Sequence, residues 1–141
     1  MKEESFGVCI YKIEDYTTKI LMVKARGLKE WGFIKGKPEN NEKTWDCAIR
    51  ECKEETNIDI WDRDLEEFWY SEYKRKNIGI FLVDAYNIDL ENQKIILAER
   101  ELEDIKWFDV KDDIISITQP NQRQLIKKVI NHFIYRKHTY K

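Results

Sequence analysis

The run Arg50-Glu51-Cys52-Lys53-Glu54-Glu55 crowds three carboxylates into one short stretch, with Gly36 and Glu42 ahead of it. With 3.6 residues per turn, a helix over Thr44–Thr56 puts Glu51, Glu54 and Glu55 on one side, because i, i+3 and i+4 positions are neighbours. Trp45, Ala48, Ile49 and Cys52 then form an apolar stripe that packs into a core. Three clustered carboxylates repel one another, and they become favourable structure when a divalent cation sits among them. Thr44 is the expected N-cap. Asn57 is expected to end the helix in the left-handed conformation. A bare Glu-x-x-Glu-Glu is ordinarily a solvated acidic face; the joint spacing of Gly36, Glu42 and Arg50 with it argues for chemistry instead.

These residues resemble the signature of the Nudix hydrolases, Gly-x5-Glu-x7-Arg-Glu-U-x-Glu-Glu-x-Gly-U, where U is aliphatic. Gly36, Glu42, Arg50, Glu51, Glu54, Glu55 and Ile58 match it. Cys52 stands at an aliphatic position, and free cysteine behaves as a small hydrophobe. Asn57 replaces the last glycine, a departure that bears on a turn rather than on the chemistry. The resemblance implies an α/β/α sandwich with a mixed central sheet. It implies that Glu51, Glu54 and Glu55 bind a catalytic Mg²⁺ or Mn²⁺, joined by the main-chain carbonyl of Lys35. Arg50 would orient the glutamates and Glu42 would hold the loop to the helix. A general base commonly comes from a later loop, here Glu101 with Glu99 second; Glu54 on the helix is the alternative. Lys35 and Lys37 flank the glycine and are candidates for phosphate oxygens, with exposed loop residues as the other reading.

The rest of the chain must position this segment. Strands are expected over Phe6–Ile13, Lys19–Ala25, Phe68–Tyr73, Asn77–Ala85, Ile95–Ala98 and Ile105–Phe108. A short helix is expected within Val110–Ile117. Pro120 starts a last helix, at about residues 121–138, whose Leu125, Ile126, Val129, Ile130, Phe133 and Ile134 recur at helical spacing. Strands around one helix and ending in another indicate an α/β fold with a mixed sheet between helices, in a single domain over residues 1–141.

Composition sets the outer bounds. No segment approaches the roughly 20 apolar residues of a membrane span. The start, Met1-Lys2-Glu3-Glu4, lacks the basic and apolar regions of a secretory signal. Three cysteines without paired spacing suggest reduced thiols, hence a cytoplasmic or nuclear protein. The formal net charge of −2 hides an asymmetry: beyond Asp113 there is no acidic side chain, and Arg123, Lys127, Lys128, Arg136, Lys137 and Lys141 make that tail +6. Such a helix either attracts polyanions or docks on the acidic body of its own chain.

Two further segments resemble the catalytic domain of mRNA decapping enzymes. Trp31-Gly-Phe-Ile-Lys-Gly-Lys37 is similar to that group's entry to the glycine, with Ile34 in place of proline. Glu101-Leu-x-x-Ile105-x-Trp107-Phe108 is similar to the segment in which its glutamate is catalytic. The resemblance implies cleavage of a diphosphate linkage in capped RNA with release of methylated GDP, and RNA contact by the basic helix through Lys127 and Lys128. A methylated guanine needs an aromatic stack, for which Trp31, Phe33, Trp69, Tyr70, Tyr73 and Trp107 are candidates. The alternatives are a small-molecule hydrolase of dinucleoside polyphosphates, diphosphoinositol polyphosphates or nucleoside triphosphates, and a module of the same fold that senses a nucleotide or RNA without cleaving it. Nothing in the sequence localises an oligomeric interface.

Overall fold

The structure, a computed structural model, describes residues 2–139, with side chains through Tyr135. Of the terminal basic residues, the side chains of Arg136 and Lys137 and all of Lys141 lie outside the described residues. Seven strands and two helices follow in chain order: β1 Glu3–Glu14, β2 Thr17–Ala25, β3 Trp31–Gly32, β4 Ile34–Gly36, α1 Thr44–Thr56, β5 Phe68–Tyr73, β6 Lys76–Asp84, β7 Leu102–Asp109 and α2 Arg123–Thr139. β1 and β6 run parallel, and the other pairings are antiparallel, so the sheet is mixed as expected.

One detail of the sheet governs everything near the acidic motif. β1 and β2 pair only close to their turn, from Tyr11↔Ile20 to Glu14↔Thr17. Further from the turn β1 pairs instead with β4 (Gly7↔Lys35) and β2 with β3 (Lys24↔Trp31). β6 and β7 hold the outer sides of β1 and β2. The Trp31–Gly36 segment therefore fills a fork between two diverging strands. Gly7 makes this possible, because a Cβ there would collide with the Ile34 carbonyl and Lys35. A glycine in a strand interior commonly marks such a close backbone approach.

Strand alternation divides the core in two. Val8 and Ile10 of β1, Val83 of β6 and Ala48 and Cys52 of α1 pack on one side of the sheet. Cys9, Tyr11, Ile78, Ile80 and Leu82 pack on the other side with Leu125, Ile126, Val129 and Phe133 of α2.

Several expectations at element ends need correction. Lys43, not Thr44, is the N-cap of α1, and no side-chain cap bond forms. Asn57 does close the helix left-handed, at φ 65°, with its N–H donating to Lys53 O. Trp45 is exposed, while Cys47, Ala48, Cys52, Glu55 and Thr56 are buried. The helix is thus rotated from its apolar stripe toward Glu55, because that side faces the wedge of β4. Ile95–Ala98 is no strand: the N–H groups of Ile96 and Ala98 donate to the Thr56 and Glu55 carbonyls, both at 2.9 Å. Those carbonyls have no partner within the helix, and the segment satisfies them. The short helix expected within Val110–Ile117 is present as a 3-10 helix at Ile115–Ile117, and another at Pro120–Gln122 precedes α2. Ile134 is exposed rather than part of the core stripe.

Candidate active site

Arg50 organises the acidic motif. Its Nε and Nη2 donate to the two Glu42 oxygens at 2.7 and 2.8 Å. Nη1 donates to Glu51 Oε1 at 2.8 Å and to Glu54 Oε2 at 3.0 Å, and Nη2 also donates to Lys37 O at 2.9 Å. One planar guanidinium thereby ties the glycine loop to α1, the geometry for which arginine is suited. Glu39 joins the cluster, with Oε1 3.0 Å from Arg50 Nε. The sequence alone did not single it out, since Glu39 lies at a position where the signature leaves the residue open. The Glu42 carboxyl is held down at about 2, chiefly by its hydrogen bonds from Arg50.

Gly36 completes the cradle. A Cβ at this position would overlap the Glu51 carboxylate, so the glycine leaves the space that Glu51 uses. Beside it, Lys35 of β4 meets Glu55. Glu55 is only 8% exposed, although it is an acid on a helix. Burial pushes its carboxyl up to about 8; the negative charges of Glu51 and Glu101 add to this, and Lys35 opposes it. Burial also raises Glu51, with Arg50 working against the rise, and lowers the Lys35 ammonium against the pull of Glu55.

Glu101 reaches this field from a distant part of the chain. The Ala98 N–H is anchored on Glu55 O, and the Ala98 carbonyl then accepts from the N–H groups of Glu101 and Leu102 at 3.0 and 2.9 Å. Arg26 clamps the loop from β2, its N–H donating to Glu101 O at 2.8 Å and its Nε to Glu99 O at 2.7 Å. The result is an open cleft of about 480 Å³ lined by Glu54, Ala98, Glu99, Arg100 and Glu101.

Glu51, Glu54, Glu55, Arg50, Lys35 and Glu101 are therefore brought together. Lys37 stands at the margin, exposed, with Nζ 3.3 Å from Glu3 Oε1. Trp31 is not in this group: its ring meets Phe108 edge-on at 5.0 Å on the α2 side of the sheet. Lys127 and Lys128 are exposed on α2, across the sheet from α1, and Lys128 Nζ donates to Tyr70 O at 3.2 Å.

Carboxylates and a main-chain carbonyl are the hard oxygen donors that Mg²⁺ and Mn²⁺ take. A buried Glu55 facing two further negative charges is the electrostatic setting that a cation relieves. Among the described residues, no three acidic, imidazole or thiol groups converge on one point as the side chains stand. Glu51 and Glu54 are turned instead toward Arg50. The donor set fits the ion in kind, and its convergence requires rotation of side chains at Glu51 and Glu54.

A sequence model of the NUDIX domain matches residues 3–130 of the chain. The chain belongs to the NUDIX domain family, as its acidic motif led us to expect. It is 36% identical over 95 residues to the m7GpppN-mRNA hydrolase of Saccharomyces cerevisiae; this is 67% of the chain and 10% of that protein. It is 31% identical over 83 residues to the mRNA decapping complex subunit 2 of Schizosaccharomyces pombe, 58% of the chain and 11% of that protein. The chain thus matches about a tenth of the length of these relatives. In three dimensions it is similar to a Caenorhabditis elegans Ap4A hydrolase in a binary complex, with a TM-score of 0.69, 24% identity, and coverage of 94% of this chain and 98% of that one. At that identity the likeness concerns the fold, and it agrees with the sandwich expected from sequence.

Proposed function

We propose that this chain is a Mg²⁺- or Mn²⁺-dependent pyrophosphohydrolase that cleaves the 5′ cap of RNA, releasing methylated GDP. The observation that carries this is the meeting on Glu55 of Lys35 and Glu101, one from each segment that resembles decapping enzymes: far apart in sequence, both act on the charge of this one carboxyl of the acidic motif. The decapping relatives support the substrate.

Glu51, Glu54, Glu55 and the Lys35 carbonyl would hold the ion, which when bound neutralises diphosphate oxygens and orients the attacking water. Arg50 and Glu42 keep the glycine loop fixed to α1 while phosphate enters beside Lys35 and Lys37. Glu101, exposed at the cleft rim, accepts the proton of the water that attacks phosphorus. Glu54 is the alternative acceptor. The bridging P–O bond then breaks, leaving methylated GDP and an RNA with a 5′-monophosphate. Buried, unpaired Cys9, Cys47 and Cys52 accord with a reducing compartment, the cytoplasm or nucleus.

The placement of α2 favours a second reading. Lys127 and Lys128 lie across the sheet from the carboxylates, which suits a hydrolase of dinucleoside polyphosphates that needs no RNA contact. Incubation with Mg²⁺ and, separately, cap-labelled RNA, free cap analogue, diadenosine tetraphosphate and a diphosphoinositol phosphate decides between them. Methylated GDP released from long RNA alone supports decapping. Cleavage of the dinucleotide alone overturns it. Turnover of nothing points to a nucleotide- or RNA-sensing module.

A further inference from the structure

β5 is an outer strand of the sheet: among the described residues it pairs with β6 alone. The Leu82 N–H donates to Glu67 O at 2.9 Å, which carries the Phe68↔Phe81 register one residue further. Backbone groups along an antiparallel strand alternate between its two sides. Glu67, Trp69, Ser71 and Tyr73 therefore turn theirs to β6, and those of Phe68, Tyr70 and Glu72 point outward. The bond from Lys128 Nζ to Tyr70 O, at 3.2 Å, agrees with this. The strand, Phe68-Trp-Tyr-Ser-Glu-Tyr73, holds four aromatic rings, one charge and no proline, so it has few of the features that blunt a free edge.

Beside this edge, on the α2 side of the sheet, lies an open groove of about 780 Å³. Lys128, Asn131, His132 and Tyr135 line it from α2; their i, i+3, i+4 and i+7 spacing makes them one stripe of the helix. Trp69 and Leu82 line it from the sheet, and the Trp69 ring meets His132 edge-on at 5.1 Å. Tyr135, 66% exposed, offers a second large ring at the surface. Glu66 and Glu67 add two carboxylates just before β5. Glu66 accepts from Tyr11 OH at 2.7 Å, whereas Glu67 is exposed, with His132 Nδ1 3.8 Å from it. None of these residues lines the cleft of Glu54 and Glu101, which is across the sheet.

We infer that β5 and this groove capture an extended peptide segment of a partner protein, apolar and basic in character, which adds a strand to the sheet. The backbone of the segment pairs with the outward N–H and C=O groups of Phe68, Tyr70 and Glu72, and Lys128 yields Tyr70 O to one of its N–H groups. Side chains of a strand alternate between its two faces. Those on the α2 side enter the groove and rest on Trp69 and Tyr135, the mode in which pairing supplies affinity and pockets for alternate side chains supply specificity. Two carboxylates face one ammonium in the groove, so it favours a lysine or arginine, opposite Glu67, over an acidic residue. Six residues at ~3.4 Å each make the edge about 20 Å long, the reach of a peptide rather than of one nucleotide. The capture is independent of which diphosphate the enzyme cleaves.

Panning a displayed library of random decapeptides on the full chain tests it, with the enriched peptide then synthesised and titrated by fluorescence anisotropy. Enriched sequences are expected to alternate apolar residues and to carry lysine or arginine. Tyr135→Ala and Glu67→Lys, both at exposed positions, should each weaken the best peptide by about tenfold, as loss of a central contact does. Glu55→Gln should bind it as wild type does. Two further peptides carry N-methyl groups on alternate amides, one on the odd set and one on the even set. One should lose binding and the other keep it, because only every second N–H faces β5. No enrichment over an uncoated surface, or the same outcome for both methylated peptides, would overturn the assignment. So would a dimer seen by light scattering and lost in Tyr135→Ala, which gives the edge to a second copy. Oligouridine binding lost in Tyr135→Ala, with no peptide enriched, would overturn it in favour of RNA. Failure to hydrolyse any diphosphate removes the proposed activity and leaves this panning as it is.

Discussion

Glu55 is the residue on which the site turns. Its folded-state carboxyl titrates at about 8, above the ordinary value of 4.5. A raised carboxyl contributes stability that is fully present below the unfolded value and is lost as pH rises through the folded one. The metal-free protein should therefore lose stability between about pH 5 and pH 8, by up to a few kcal/mol. Thermal melts of wild type and Glu55→Gln across that range check this: the variant should lack the decline. The same variant should lose about a hundredfold or more in turnover, as removal of a group that stabilises transition-state charge does. Glu42 has the opposite sign. Its carboxyl sits at about 2, so its contribution is present above 4.5 and is lost as pH falls through 2. Glu42→Gln should cost about 2 kcal/mol in urea unfolding at pH 7, the scale of hydrogen bonds to a charged group. That difference should vanish toward pH 2.

At the scale of elements, the fork between β1 and β2 decides where the chemistry sits. β4 enters it only because Gly7 has no side chain. Gly7→Ala should push β4 outward and cost about 1–3 kcal/mol of stability, the usual range for overpacking. It should lower turnover as well, since Lys35 and Gly36 move with β4. Unfolding curves and initial rates on the same preparation test the coupling: a destabilised variant with full activity would show that the wedge is not what places Lys35. The segment after β6 is a second device of this kind. Its N–H groups cap the end of α1, and this brings Glu101 to Glu55 without any strand pairing of its own.

For the molecule as a whole, charge is divided between two sides of the sheet. The carboxylates lie on the α1 side, and Lys127 and Lys128 are exposed on α2. Reversing both, Lys127→Glu and Lys128→Glu, should weaken binding to long RNA and leave cleavage of small diphosphates unchanged. The salt dependence of RNA binding, log Kd against log salt, should flatten by about 1.4, at ~0.7 for each lost contact to a single strand. Equal loss on long and small substrates would make the helix structural. Among the described residues no helix is long and apolar enough to cross a membrane.

Much of this was legible in the chain order. The carboxylates, Arg50, Gly36 and Glu42 lie within one loop and one helix, so local spacing alone predicts that they meet. β5 matches its expected bounds, β6 is shifted by one residue, and β1, β2 and β7 extend beyond theirs, because period-two patterns mark a strand's buried middle better than its frayed margins. Other features depended on contacts that spacing does not encode. The rotation of α1 that buries Glu55 and exposes Trp45 came from the shape of the surface under the helix. The docking of Ile96 and Ala98 on α1 arose from carbonyls that needed donors, where the apolar run Ile95–Ala98 suggested a strand. Which aromatics lie near the carboxylates was decided by which side of the sheet each strand turned toward them. Local sequence set the chemical groups and their helical phase; long-range packing set their burial, and burial is what shifts Glu55.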